Sequence, residues 1–274
     1  MSIAPPRYAA GSYRRIGRLA RTWTIVVREV TTRAGVGTWI IVAFAYLTNV
    51  LVLLLRTVLL PFGPLGLATF ELPYGGTLWP LEVLLVTAAA GAASIAEDLS
   101  SRSISLYLSR PIHLIDYLTG KAAGLGFWIA LVAIGPGIVA SVLAATLGAV
   151  SATVAVEAVL ATLALGLLAT AFFTGLALAF SAWTGRGLYA GVAVFGLVLS
   201  IEFAVLALAG TTGNPQVPYV SVFTNLQNIA YYLFQVPGAT STYPGISALY
   251  VGAVTFLLFL ATWIRLVRVE VVGE

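Results

Sequence analysis

The sequence predicts an all-α integral membrane protein folded as one domain, and three observations predict it. Of the 274 residues, 60% are hydrophobic and only 9% charged, where a soluble domain carries about 25% charged residues. Ten acids and fourteen bases could not cover a water-soluble surface at this length. Six stretches are apolar over the roughly 20 residues that a helix needs to cross the hydrocarbon of a bilayer. The bases, finally, all but one segregate to one side of such a six-span arrangement.

The elements follow in order. The stretch "SYRRIGRLARTWTIVVREV" places Ile16, Leu19, Trp23, Val26 or Val27, and Val30 at helical spacing, with Arg14, Arg15, Arg18 and Arg21 largely off that stripe. This predicts an amphipathic helix over about 12–33 lying in the headgroup layer. Spans are expected at about 38–60, 81–96, 122–147, 152–183, 187–209 and 246–264. The third contains "GPG" at Gly135–Gly137, and Pro136 is expected to kink it, as membrane helices tolerate. Arg7, Arg14, Arg15, Arg18, Arg21, Arg28 and Arg33 precede the first span. Arg102, Arg110 and Lys121 lie between the second and third, Arg186 between the fourth and fifth, and Arg265 and Arg268 after the sixth. Only Arg56 falls toward the other face. Positive charge marks the cytoplasmic side, so both termini are expected in the cytoplasm and the chain in the plasma membrane.

Two connections stand out. Residues 97–121 form the longest loop expected on the cytoplasmic side. Within it "EDLSSRSISLYLSRP" reads as a short amphipathic helix, with Leu99, Ile104, Leu106 and Leu108 as its apolar contacts and Pro111 as its stop. On the other side, residues 210–245 contain no charge at all. Their middle, "VSVFTNLQNIAYYLFQV", predicts a helix with Phe223, Leu226, Ala230, Leu233 and Phe234 on one side. An uncharged aromatic helix here is expected to be re-entrant or interfacial, a cap over the bundle.

Candidate functional residues are sparse. Cysteine is absent and His113 is the single histidine, which leaves little from which to build a zinc or iron site. A phosphate-binding P-loop requires Gly-x-x-x-x-Gly-Lys-Ser/Thr. Lys121, the only lysine, follows Gly120, but position 115 is Ile and position 122 is Ala. Lys121 is therefore expected to anchor a span end in the headgroups. Asn49, mid-span, is expected to hydrogen-bond another helix. Arg56, near the outer end of its span, is expected as a snorkelling anchor or a substrate contact. Glu82, Glu157 and Glu202, toward the outer halves of theirs, are expected to pair with Arg56, face the outer water or, with Asn49, line a pathway or acidic outer vestibule. "GKAAG" and "GLYAG" at Gly120–Gly124 and Gly187–Gly191 are small-residue matches from which only close helix packing is read.

The order of a Glu closing the second span, a short helix, "SRPI" and then "GK" resembles the permease subunits of type-2 ABC exporters. The matching residues are Glu97, Ser109, Arg110, Pro111, Ile112, Gly120 and Lys121, and the amphipathic N-terminal helix and six spans extend the resemblance over nearly the whole chain. The chain departs from the family pattern at Arg102–Ser103 and at Leu114. The resemblance implies a coupling helix at Glu97–Arg110 that docks into a separate ATPase subunit. Glu97, Arg102 and Arg110 would then meet polar groups of the partner, and Leu106 and Leu108 would fill its groove. It also implies a permease dimer, formed with a second copy or a homologous permease. No cofactor is then bound by this chain, ATP and Mg sit on the ATPase, and membrane lipids rather than nucleic acid surround the permease. Two other readings stay open: an integral membrane enzyme acting on lipids, for which Glu97 and Asp98 with His113 and Asp116 form the sole candidate cluster, and a non-transporting assembly subunit of the same fold.

Overall fold

Residues 17–59, 66–91, 93–101, 113–237 and 243–272 are described by the computed structural model. All regular structure among them is helical. Helix α1 covers Arg18–Thr32 and α2 Val36–Leu59. After a 3-10 turn at Leu67–Glu71, α3 runs over Leu78–Val86 and widens into one π turn, Thr87–Gly91. A short α4, Ala96–Ser100, precedes α5, Leu114–Ala133, and α6, Gly135–Thr146. Then come α7, Ala152–Trp183, α8, Gly187–Thr212, α9, Val222–Leu233, and α10, Pro244–Val272.

Five stretches are long and apolar enough to cross a membrane: Leu78–Ser100, Leu114–Thr146, Ala152–Trp183, Gly187–Thr212 and Pro244–Val269. Helices α1 and α2, bent by 83° to each other, add a sixth if taken together. The chain is therefore built as a multi-pass membrane protein. The outward faces of α8 and α10 agree with this. Leu188, Phe203, Leu206, Leu249 and Phe256 are all exposed there, an apolar area that water would not tolerate on a monomer.

The 32-residue α7 is the centre of the bundle. At about 1.5 Å per residue it is roughly 48 Å long, and it packs against α5, α6, α8, α9 and α10. Its buried Leu165, Phe172, Phe173 and Leu178 form the middle of the core. The chain breaks at Ile134, between α5 and α6, where Pro136 stands in the first turn of α6. Proline lacks the N–H needed to continue the ladder of α5, so the helix is interrupted by one residue where the kink was expected, within a stretch that still forms one candidate span. Gly213 ends α8 at φ 62°, a left-handed conformation that glycine adopts without strain.

Several expected boundaries move. The third span begins at Leu114 rather than 122, because Asp116 and Lys121 are buried inside the helix instead of facing water. The second begins at Leu78 and the sixth at Pro244 and runs to Val272. The amphipathic helix is present over Arg18–Thr32, and residues 12–16 lie outside the described residues. In the uncharged segment 210–245, α9 forms where the aromatic spacing places a helix, with Phe223, Leu226, Ala230 and Phe234 buried and Leu233 partly so.

Candidate functional site

Helix α1 splits its apolar residues between two faces. Leu19, Trp23 and Val27 are exposed in one stripe, while Ile25 and Glu29 are buried against α5. The approach is close because α5 presents glycine there. A Cβ added to Gly124 would lie 2.6 Å from the Glu29 Cβ, and one added to Gly120 would lie 2.9 Å from the Ile25 Cβ. The "GKAAG" stretch thus does what small residues do between membrane helices: it lets two backbones meet. The corner between α1 and α2 is filled by Trp128 of α5. Its indole N–H donates to the Val30 carbonyl at 3.1 Å, and its ring meets Trp39 edge-on at 5.1 Å.

Between the two glycines, Lys121 enters the joint. Its ammonium has three protons, and three acceptors surround it: Glu29 Oε2 at 2.7 Å, Asp98 Oδ2 at 2.9 Å and the Ser94 carbonyl at 2.8 Å. Tyr117 donates to the same Asp98 oxygen at 2.8 Å. Arg33 extends the chain of charges, bonding Glu29 Oε1 at 3.3 Å and Glu97 Oε2 at 3.0 Å. Glu29, Asp98 and Lys121 are each buried. At the rim, Arg18 pairs with Asp116 at 2.7 Å. From behind, Ser181 of α7, fully buried, accepts the Ile95 and Ala96 N–H groups at 2.8 and 2.9 Å. Residues 93–101 are therefore held by α1, α5 and α7 at once. A buried ion cluster earns little net stability because desolvation opposes the Coulomb attraction, but breaking it is expensive. What this arrangement does is hold three elements in one geometry.

Two expectations are corrected here. Lys121 is not a headgroup anchor, since its side chain is buried among carboxylates. Asn49 spends its Nδ2 on the Ala45 carbonyl of its own helix at 2.8 Å, not on another helix. Glu97 pairs with Arg33, while Arg102, Leu106, Leu108 and Arg110 lie outside the described residues. Arg56 is in α2, and its side chain lies outside the described set. Glu82 is brought beside Asn49's neighbour Thr48, whose hydroxyl donates to it at 2.7 Å. Glu157 is exposed on α7 and Glu202 joins α9, so the three outer carboxylates serve three separate surroundings. Glu29, Tyr117, Ser94 and Ser181 were not singled out by the sequence, and Asp98 only as part of a possible enzyme cluster. The available signal was that Glu29 is the only acid in an arginine-rich helix and Lys121 the only lysine. Among the described residues no group of three or more His, Cys, Asp or Glu is placed to hold a metal ion.

The opposite end is fastened by neutral and acidic groups. Glu202 of α8 accepts the Phe223 N–H at 3.2 Å and the Ser221 hydroxyl, while Ser221 accepts the Thr224 N–H at 2.8 Å. A carboxylate at a helix start satisfies otherwise orphaned N–H groups. Asn228 donates to Ser247 of α10, Tyr250 of α10 to the Val220 carbonyl, and Gln227 to the Gly75 carbonyl. Tyr74 stacks on Phe234 with centroids 5.2 Å apart. Replacing Glu202 with alanine is expected to loosen α9 by about 1.5–3 kcal/mol, the range for hydrogen bonds to a charged group. Faster amide exchange over residues 221–233, with α7 unchanged, would show it.

In the turn beneath α9, burial pushes the Glu71 carboxyl above its ordinary value, and burial followed by the charge of Glu71 pushes the Tyr231 phenol up. A carboxyl raised in the folded state supports folding fully below its ordinary value, and that support is lost as pH rises through the folded value. Glu71→Gln is therefore expected to match the parent protein in acid and exceed its thermal stability at neutral pH. Equal stability at both pH values would contradict this. No protein-family model matches the chain, and no curated protein matches it.

Proposed function

We propose that this chain is the membrane-spanning permease subunit of an ABC exporter, lining the substrate pathway and coupled to a separate ATPase subunit. The observation that carries the proposal is the fixed base of the 102–112 stretch: residues 93–101 are tied to the end of α1 by Arg33, to α5 by Lys121, which Glu29 of α1 also holds, and to α7 by Ser181. A segment that receives mechanical work must not flex at its root. Here a push on Glu97–Arg110 would be carried as a rigid tilt into three helices. The candidate carboxylates of an enzyme site, Glu97, Asp98 and Asp116, are each engaged in an ion pair, which favours a joint over chemistry. In this reading two permeases associate, ATP and Mg belong to the ATPases, and the basic end faces the cytoplasm of a cell bounded by the plasma membrane.

Co-purification with an ABC ATPase encoded beside this chain tests the proposal. Leu106→Asp with Leu108→Asp is expected to release the ATPase and leave the thermal stability of the isolated permease unchanged. Retention of the ATPase by that variant would place the docking surface elsewhere. Orientation is tested separately, since the chain has no native cysteine. Single cysteines at the exposed Gly76 and Asn214 are expected to react with an impermeant thiol reagent in intact cells. One at Gly185, also exposed and with open space around it, is expected not to react. Labelling at Gly185 would reverse the orientation.

A further inference from the structure

The basic end has two corners that differ in how their bases are paired. Around α1 and α5 each acid is matched to a base, Glu29 and Asp98 to Lys121, Glu97 to Arg33 and Asp116 to Arg18, while α1 also carries Arg21 and Arg28. The corner made by α7, α8 and α10 is different. Arg186, Arg265 and Arg268 have no carboxylate partner among the described residues, and the nearest acids of α4, Glu97 and Asp98, are already taken. Both corners belong to the same end, because a Cβ on Gly187 would strike Ala93, the neighbour of the Ser94 that accepts from Lys121.

The geometry of the two better-placed arginines is specific. The Arg265 guanidinium lies over the Trp183 ring at 5.6 Å, and its Nε donates to the Ala182 carbonyl at 3.4 Å. The Arg186 guanidinium lies over the Tyr189 ring at 5.8 Å. Trp183 and Arg186 are separated by three residues of chain, at most about 11 Å. Stacking on a ring face orients a guanidinium while leaving its N–H edges open. Those edges match the oxygens of a phosphate, which arginine can bind through two parallel hydrogen bonds. Trp183 and Tyr189 are each 58% exposed. They stand where three apolar helices end, the depth at which such amphipathic rings meet lipid headgroups.

We infer that Arg186, Arg265 and Arg268, with Trp183 and Tyr189, form a binding site for the headgroup phosphate of an anionic phospholipid. A triple positive charge with no carboxylate partner among the described residues selects an anionic headgroup over a zwitterionic one, and the rings pack on the glycerol and upper acyl region below it. Nothing in the site requires transport activity or an ATPase.

The test is native mass spectrometry of the full chain, purified in detergent and titrated with phosphatidylglycerol, phosphatidylcholine or inorganic phosphate. The parent protein is expected to retain phosphatidylglycerol in preference to phosphatidylcholine. Arg186→Gln with Arg265→Gln is expected to weaken phosphatidylglycerol binding by roughly 30-fold, as two bases near an anionic surface would. Phosphatidylcholine retention should not change, and neither should thermal stability without lipid. Arg18→Gln, at a base already paired with Asp116, serves as the matched control and should leave retention intact. Equal phosphatidylglycerol retention by the double variant would overturn the site. Displacement of the lipid by inorganic phosphate would show an ion site instead. Loss of a co-purified protein by the double variant, with lipid retention unchanged, would assign the surface to that protein.

Discussion

Replacing Lys121 with methionine is expected to destabilise the protein by about 3–5 kcal/mol, the range found when one member of a buried ion pair is removed. The methionine fills nearly the same volume, so packing contributes little to the loss. The penalty comes from Glu29 Oε2 and Asp98 Oδ2, which sit 2.7 and 2.9 Å from the ammonium and would lose that partner while remaining buried. The Ser94 carbonyl loses its donor as well. Arg33 still reaches the other oxygen of Glu29, which places the effect short of complete unfolding. Thermal unfolding in detergent measures it. The decisive control is the triple variant Lys121→Met, Glu29→Gln, Asp98→Asn, which removes all three charges together. Recovery of most of the lost stability would show that uncompensated charge was the cause. A triple variant as unstable as the single would mean that the cluster matters through its shape.

The second large effect is steric. Gly124→Ala is expected to cost about 1–3 kcal/mol, the range for overpacking a tight contact, and Gly124→Leu to detach α1 from α5. The added methyl would lie 2.6 Å from the Glu29 Cβ and 3.1 Å from the Val26 carbonyl oxygen, and neither atom is at the free end of a side chain. Moving α1 also draws Glu29 away from Lys121, so the two losses compound. Gly126→Ala, two residues on, provides the contrast. Its methyl would meet Thr174 Oγ1 at 3.5 Å, an ordinary contact, and stability should change by no more than about 0.5 kcal/mol. Limited proteolysis within Arg18–Thr32 reads detachment directly. If α1 were merely a surface arm, both glycine variants would behave alike.

The helices were legible in the sequence because each depends on the chain near it. The apolar lengths of α7 and α8, the stop at Pro136 and the aromatic spacing of α9 are local signals, and they appear where those signals place them. The joint was illegible because its partners are remote: Lys121 and Glu29 are 92 residues apart, and Ile95 and Ser181 are 86. Periodicity along one helix carries no information about a partner on another. This also explains the misplaced start of α5. Counting apolar residues assigns a lysine to water, whereas Lys121 can be buried once two carboxylates and a carbonyl replace its hydration. The outer carboxylates taught the converse lesson. Glu82, Glu157 and Glu202 share a depth in the sequence reading, yet Glu82 turns inward to Thr48, Glu157 is exposed and Glu202 caps α9.

The 92-residue separation of Glu29 from Lys121 also sets a schedule for biogenesis. At the roughly 5–20 residues per second of translation, Glu29 has only Arg33 beside it for about 5–20 s, until Lys121 is synthesised. During that interval α1 lacks its partner α5, and the first two spans insert without their final neighbour. Arrival of the glycine-flanked lysine then closes α1 against α5 in one event. A nascent chain halted before residue 121 would carry an open α1, visible to quality-control proteases, and one halted well after it would not.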